Sequence, residues 1–233
     1  MKRIDIFTLV PEAFGWFLLQ HPVADAVAAG LVRLEVQNIR DHTPLNHRQV
    51  DDTPYGGGPG MVLRVDVAAA ALEGVFGVAA EQVRREREVI VLTPGGRPFD
   101  DRYAAELARG SRDVVLLSGR YEGFDARVTE LFASADLSIG PYVLAGGEVA
   151  AMVVVEAMVR KVPGVLGNDE SVVEESFSEE LGGAVEYPQY TRPREFAGMQ
   201  VPEILISGNH AAIARWRREH ARPSQWGGPR AGA

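Results

Sequence analysis

The sequence contains no cysteine, which excludes disulfides, thiolate zinc sites and cysteine nucleophiles. Nowhere does it hold the run of about 18 apolar residues that a membrane-spanning helix needs. Its first stretch, MKRIDIFTLVPEAF, has neither the apolar length nor the small-residue cleavage site of an export signal. The expected address is therefore the cytoplasm. Two glycine fingerprints are also missing: the three spaced glycines of dinucleotide-binding folds, and the phosphate loop with its lysine and hydroxyl partner. A nucleotide-like ligand would have to sit in an unconventional site, held by main chain. Positive charge is in deficit too, with 24 Lys and Arg against 32 Asp and Glu. A net charge of −8 by itself argues against a polyanionic partner, whose binding depends on phosphate neutralisation.

The distribution of charge points the other way. From Asn209 onward the chain carries Arg215, Arg217, Arg218, Arg222 and Arg230 against Glu219 alone, whereas Asp169 to Glu180 is dense in acids. A basic C-terminal segment follows an acidic linker. An arginine-rich helix is often only a solvated face, but this one is compatible with RNA contact.

With 233 residues, 46% of them hydrophobic, the chain has enough apolar mass for one sizeable core and a small second unit. IDIFTLV, LVRLEVQNI, EVIVLTP and DVVLLSG read as strands, and LSIGPYVLAGG as a last short strand running into a loop. Helices are expected over PEAFGWFLL, AVAAGLV up to its glycine, Val65–Val75, Asp101–Ala108 and Glu148–Lys161, the last stopped by Pro163 and Gly164. Strands alternating with helices predict an α/β fold with a parallel sheet covered on both faces. After Gly167 the acidic stretch NDESVVEESFSEELGG reads as an exposed linker. HAAIARWRREHA then reads as an amphipathic helix with Ile213 and Trp216 on one face, and RPSQWGGPRAGA as a disordered tail.

Three glycine-centred loops follow three apolar strands: TPGG at 93–96, SGRYEGFD at 118–125 and GPYVLAGGE at 140–148. In an open parallel sheet, loops at the carboxyl ends of strands converge on one crevice. Glycine there lets a flat ring approach the backbone, whose N–H and C=O groups read its edge. His42 and His47 stand five apart in a loop without a helical H-E-x-x-H around them, so no zinc site is expected.

Six motifs in order, PYGGGPGM, GRYEGFDARV, SIGPYVLAGGE, VPGVLGN, YPQYTRP and VPEILISGNH, resemble the bacterial tRNA (guanine-N1)-methyltransferases of the SPOUT class, almost from end to end. The resemblance implies a sheet whose C-terminal part is tied in a deep trefoil knot that binds S-adenosylmethionine, plus a small helical C-terminal domain. It implies a homodimer in which each tRNA is gripped by the knotted domain of one subunit and the helical domain of the other. Methyl transfer would go to N1 of the guanine immediately 3′ of the anticodon. The corresponding division is 1–165 for the donor domain, 166–182 for the linker and 183–233 for the tRNA-binding domain.

By that likeness Leu92, Thr93, Pro94, Gly119, Tyr121, Glu122, Ile139, Gly140, Pro141, Tyr142, Val143, Leu144, Gly146 and Gly147 line the cofactor site. Guanine N1 carries a proton at neutral pH, so the chemistry needs a base for that proton and a cation for charge moving onto O6. The likeness assigns these roles to Glu175 and Arg160. Each has a plainer alternative: Glu175 as one of several solvated acids, and Arg160 as the partner of Glu156 in a surface ion pair.

The chain departs from the family pattern at Glu175 and at Pro141, where the family tends to have aspartate. For RNA the candidates are Arg48, Asp51 and Tyr55 around the glycine-rich loop, and Arg192, His210, Arg215 and Arg218 near the C-terminus. Asp51 has the donor edge of a guanine as its ligand, or loop capping as its ordinary use. Mg2+ is compatible with the family, although no clustered carboxylates demand it. A related methyltransferase acting on another RNA, and a non-catalytic RNA-binding protein, are the competing readings.

Overall fold

Alternation of side chains along the strands decides the layers of this protein, seen here in a computed structural model that describes residues 1–166, 175–178 and 181–224. Ile4 and Ile6 of β1 (Lys2–Thr8) point to one face and Phe7 to the other. After α1 (Val23–Ala28) comes β2 (Val32–Asn38), followed by the two-residue strands β3 (Asp51–Asp52) and β4 (Val62–Leu63). Helices α2 (Val65–Phe76) and α3 (Ala80–Glu86) precede β5 (Glu88–Pro98). Then follow α4 (Asp101–Arg109), β6 (Val114–Ser118), α5 (Ala126–Phe132), β7 (Ala135–Ser138) and α6 (Glu148–Val159).

The main sheet runs β2-β1-β6-β5-β7, and every neighbouring pair is parallel. Strands buried on both faces read as continuous apolar runs, as β6 does. One face packs Ile4, Ile90 and Leu116 with α1, α4 and α6. The opposite face packs Val89, Val115 and Leu117 with α2, α3 and α5. Helix ends follow local chemistry: Asp100 accepts from the Tyr103 N–H at the start of α4, and Gly77 closes α2 at φ 71°.

Several expectations need correcting. PEAFGWFLL forms no α-helix; it makes two 3-10 turns, Pro11–Phe14 and Phe17–Leu19. Phe14 closes the first turn and Phe17 opens the second, and both rings are buried in the core, edge-on to each other at 6.4 Å. The short helices α3 and α5 have no counterpart in the periodicity reading, because each is seven residues long and buries only two of them. TPGG is an excursion within β5. Leu137 of β7 takes both Leu92 and Arg97 of β5 as register partners, one before the excursion and one after it.

Contacts divide the chain into two compact units, Met1–Val165 and Leu166–Ala233. Within the second, β8 (Glu195–Phe196) pairs with β9 (Met199–Gln200), a 3-10 turn spans Glu203–Ile206, and α7 covers His210–His220. Its described residues hold a single α-helix, and proline-punctuated chain makes up most of the rest of them. Ile213 and Trp216 of α7 are half-buried, and Trp216 meets the rings of Tyr187 and Tyr190 edge-on at 6.4 Å. Most of the expected acidic linker and the tail from Gln225 lie outside the described residues. The described parts of those stretches are tied down by main chain. Arg222 exchanges main-chain hydrogen bonds with Val185 at 2.8 and 2.9 Å, and Phe177 N–H donates to the Ala184 carbonyl at 2.7 Å.

Candidate active site

A cleft of about 400 Å³ opens at the carboxyl ends of β5, β6 and β7. Leu92, Thr93 and Pro94 supply one wall, and Gly119, Tyr121 and Glu122 a second. Ile139, Gly140, Tyr142, Val143, Leu144, Gly146 and Gly147 supply the third. Of the expected cofactor residues only Pro141 is outside the lining; it lies on the exposed side of its loop. The loss of a backbone donor at that proline therefore does not reach the cleft.

The loops are drawn together by their glycines. Gly147 N–H donates to the Gly119 carbonyl at 2.8 Å, and Arg120 bridges Gly146 in antiparallel fashion. A Cβ on Gly147 would come within 2.8 Å of Ser118 Cα, so no other residue fits that approach. Tyr121 adopts φ 59°, a region uncommon for residues with a side chain. Asp125 ends this loop and starts α5, accepting from Arg127 N–H; the Arg127 guanidinium holds its carboxyl below the usual range.

Thr129, Asp136 and Ser138 also line the cleft. Asp136 was legible in principle, since strand alternation places it opposite the buried Leu137, but a four-residue strand gives the pattern little length. Thr129 Oγ1 donates to Asp136 Oδ1 at 3.2 Å. Glu122 and Asp136 are carboxylates, and among the described residues the lining includes no lysine, arginine or histidine. Such a cleft offers no counter-charge to a phosphate and favours a cationic ligand.

The two candidates for the chemistry fall in different units. Arg160 follows the last residue of α6, its N–H bonded to the Glu156 carbonyl at 3.1 Å. Glu175 opens a tight turn in which its carbonyl accepts from Ser178 N–H at 3.1 Å. The RNA candidates are likewise split. Arg48 is ion-paired with Asp41, and Tyr55 is fully exposed. Asp51, in β3, caps nothing: among the described residues its carboxylate makes no hydrogen bond, and the loop is held instead by Asp52, which accepts from Thr53 N–H at 2.8 Å and from Arg64. Arg192, His210, Arg215 and Arg218 are exposed in the second unit. No group of three His, Asp or Glu among the described residues is placed to hold a metal ion.

A family model described as tRNA (Guanine-1)-methyltransferase TrmD matches residues 1–226. The chain belongs to this family. Curated relatives include the tRNA (guanine-N(1)-)-methyltransferase of Thermus thermophilus, 51% identical over 94% of this chain and 86% of the relative. Those of Geobacter sulfurreducens and Rhodopirellula baltica are 48% and 47% identical, each over 94% of this chain and 86% and 89% of theirs. Family membership gives the three-walled cleft a methyl-transfer context, and no described helix is long and apolar enough to cross a membrane.

Proposed function

We propose that this protein transfers a methyl group from S-adenosylmethionine to N1 of the guanine immediately 3′ of the tRNA anticodon, acting in the cytoplasm. What carries the reading, beyond family membership, is the cleft lining: two carboxylates, loop amides and apolar walls, with no cation among them. Bound there, S-adenosylmethionine supplies a methyl group activated by a sulfonium. Loop amides and carbonyls of the 140–147 segment read the flat adenine, while Glu122 and Asp136 face positive charge.

The Glu175 carboxylate takes the N1 proton and the Arg160 guanidinium stabilises charge on O6. Glutamate and aspartate have similar intrinsic pKa values, about 4.3 and 3.9, so the acid–base role survives the longer side chain. Glu175 is half-buried in its turn. Asp51, unengaged by the loop around it, suits the N1–H and N2 edge of a guanine. Arg48, Tyr55, Arg192, His210, Arg215 and Arg218 supply phosphate and base contacts. Mg2+, where used, would draw most of its ligands from substrate and water, since no described cluster cages it.

Residues 1–165 form the donor domain, 166–182 the linker and 183–233 the RNA-binding domain. Family likeness, not any single pairing, supports a trefoil-knotted C-terminal part of the sheet. Val149 and Val153, one turn apart on the outer face of α6, are 56% and 44% exposed, and Val143 is 84% exposed. This apolar surface supports a homodimer. In the deciding experiment, full-length protein is incubated with S-adenosylmethionine and an anticodon-loop substrate, and the nucleosides are resolved by mass spectrometry. The expected product is 1-methylguanosine, formed by a species that sediments as a dimer. Glu175→Gln should lower turnover by about 10²-fold or more while donor binding persists; methylation of rRNA but not tRNA would overturn the assignment.

A further inference from the structure

Outside the cleft lining lies a polar chain, two of whose members stand in the quoted motifs, to which neither the resemblance nor the reaction assigns a role. Glu148 is the first residue of α6, and its side chain is 6% exposed. Thr8, at the end of β1, is fully buried and donates its hydroxyl to Glu148 Oε1 at 2.8 Å. Arg120 Nε donates to the same oxygen at 3.3 Å. Among the described residues Arg120 has no other side-chain hydrogen bond, so Glu148 alone fixes where its guanidinium goes.

The chain of contacts sits where the cleft loops meet. Arg120 lies between Gly119 and Tyr121, both of which line the cleft, although Arg120 itself does not. Its partner across the antiparallel bridge is Gly146. A Cβ on Gly146 would fall 2.4 Å from Glu148 Oε2 and 2.9 Å from Arg120 Nε, so the ion pair lies directly over that backbone. Glu148 also stands in the first turn of α6, where the helix dipole favours negative charge.

We infer that the Thr8–Glu148–Arg120 chain positions the methyl-donor loops, with Glu148 acting through Arg120 to hold Tyr121 and Glu122 against the 140–147 loop. The inference rests on reading the cleft as the donor site. A buried charge pair is a poor source of stability, because desolvation offsets most of its attraction. Its geometric demand is strict, however: one Nε, one oxygen and one hydroxyl fix the relative placement of β1, the loop after β6 and the start of α6. Removing the charge frees Arg120 and with it the residue that follows, which already occupies a strained backbone region.

The test uses full-length protein and three readings: S-adenosylmethionine affinity by calorimetry, tRNA affinity by filter binding, and the thermal midpoint. Glu148→Gln keeps the acceptor for Thr8 but loses the charge facing Arg120. Donor affinity should fall about tenfold or more, matching a lost hydrogen bond between charged groups, with KM for the donor rising in step. Neither kcat nor tRNA affinity should change comparably. Arg120→Gln, at the more exposed end of the pair, should reproduce the loss and serves if Glu148→Gln does not fold.

The double variant Arg120→Met/Glu148→Met separates placement from stability, since an apolar pair of similar volume commonly restores or raises stability. It should recover the thermal midpoint and still bind the donor weakly. Wild-type donor affinity in either single variant, or in the double variant once its midpoint is restored, overturns the inference. Failure of the wild-type protein to bind S-adenosylmethionine would instead remove the reading of the cleft on which it rests.

Discussion

The unit spanning Met1–Val165 hangs its cleft from parallel strands whose inward side chains are buried, whereas among the described residues after Leu166 only Tyr187 is buried, at 7% exposure. Local stability follows buried apolar contact and protected hydrogen bonding. In the first unit the spacing of the cleft loops is therefore set by the fold itself. The second is held by Trp216 against Tyr187, Tyr190 and the stacked His220 ring at 4.0 Å, with Arg217 over Tyr187 at 4.9 Å. Its exposed Arg215 and Arg218 project from a lightly anchored helix. A rigid crevice suits an activated donor whose attack geometry tolerates little error. An adaptable basic surface suits RNA, where phosphate contacts position the substrate and small adjustments cost little.

The sharpest way to break this contrast is Gly147→Ala. The added Cβ meets backbone, 2.8 Å from Ser118 Cα and 3.2 Å from Gly119 N, and backbone in a fully buried strand cannot retreat. Overpacking of this kind costs about 1–3 kcal/mol, and here it also parts the two loops that enclose the cleft. Calorimetry should show loss of most S-adenosylmethionine affinity along with a lower thermal midpoint, while isolated contacts to tRNA in the second unit persist. Unchanged donor affinity would mean the loops are less tightly set than the Gly147–Gly119 hydrogen bond implies.

A smaller effect is expected on the other side of the comparison. Trp216→Ala removes the ring shared by three aromatic partners in a unit with little other core. Aromatic pairs contribute about 0.5–1.5 kcal/mol each beyond buried area, so the variant should lose about 2 kcal/mol of local stability. Limited proteolysis should cut residues 183–224 faster and tRNA affinity should fall, with donor affinity unmoved. A matching loss of donor affinity would show that the two units are coupled.

The same contrast explains what was legible in the residues themselves. β1, β5 and β6 are long apolar runs, and burial on both faces of a parallel sheet leaves no other way to read them. The three cleft walls followed, because glycine loops at strand ends in such a sheet converge. The 3-10 turns around Phe14 and Phe17 were not legible, since two aromatics three apart satisfy a helix pattern and a tighter turn equally well. α3 and α5 are too short for periodicity to declare them. The Thr8–Glu148–Arg120 chain was hidden for a different reason: its members are 140 and 28 residues apart, and only the fold brings them to one oxygen. In the second unit, short proline-punctuated segments carry almost no period, and only α7 stood out.

The smallest effect tests how well the loop after β6 is anchored at its far end. Asp125 N-caps α5, accepting from Arg127 N–H at 2.9 Å and pairing with the Arg127 guanidinium at 2.7 Å. Those hydrogen bonds favour the ionised carboxylate in the folded state and lower its pKa. A carboxyl whose pKa is lower folded than unfolded stabilises the fold above the unfolded value, near 3.9, and loses that contribution as pH falls through the folded value. Because Arg127 is largely solvated, the effect should be only about a few tenths of a kcal/mol. Thermal midpoints measured from pH 6 down to pH 3 should therefore fall slightly less steeply in Asp125→Asn than in the wild type. Parallel curves would mean that the cap is solvated in both states and that the Gly119–Gly147 contact, not α5, anchors the loop.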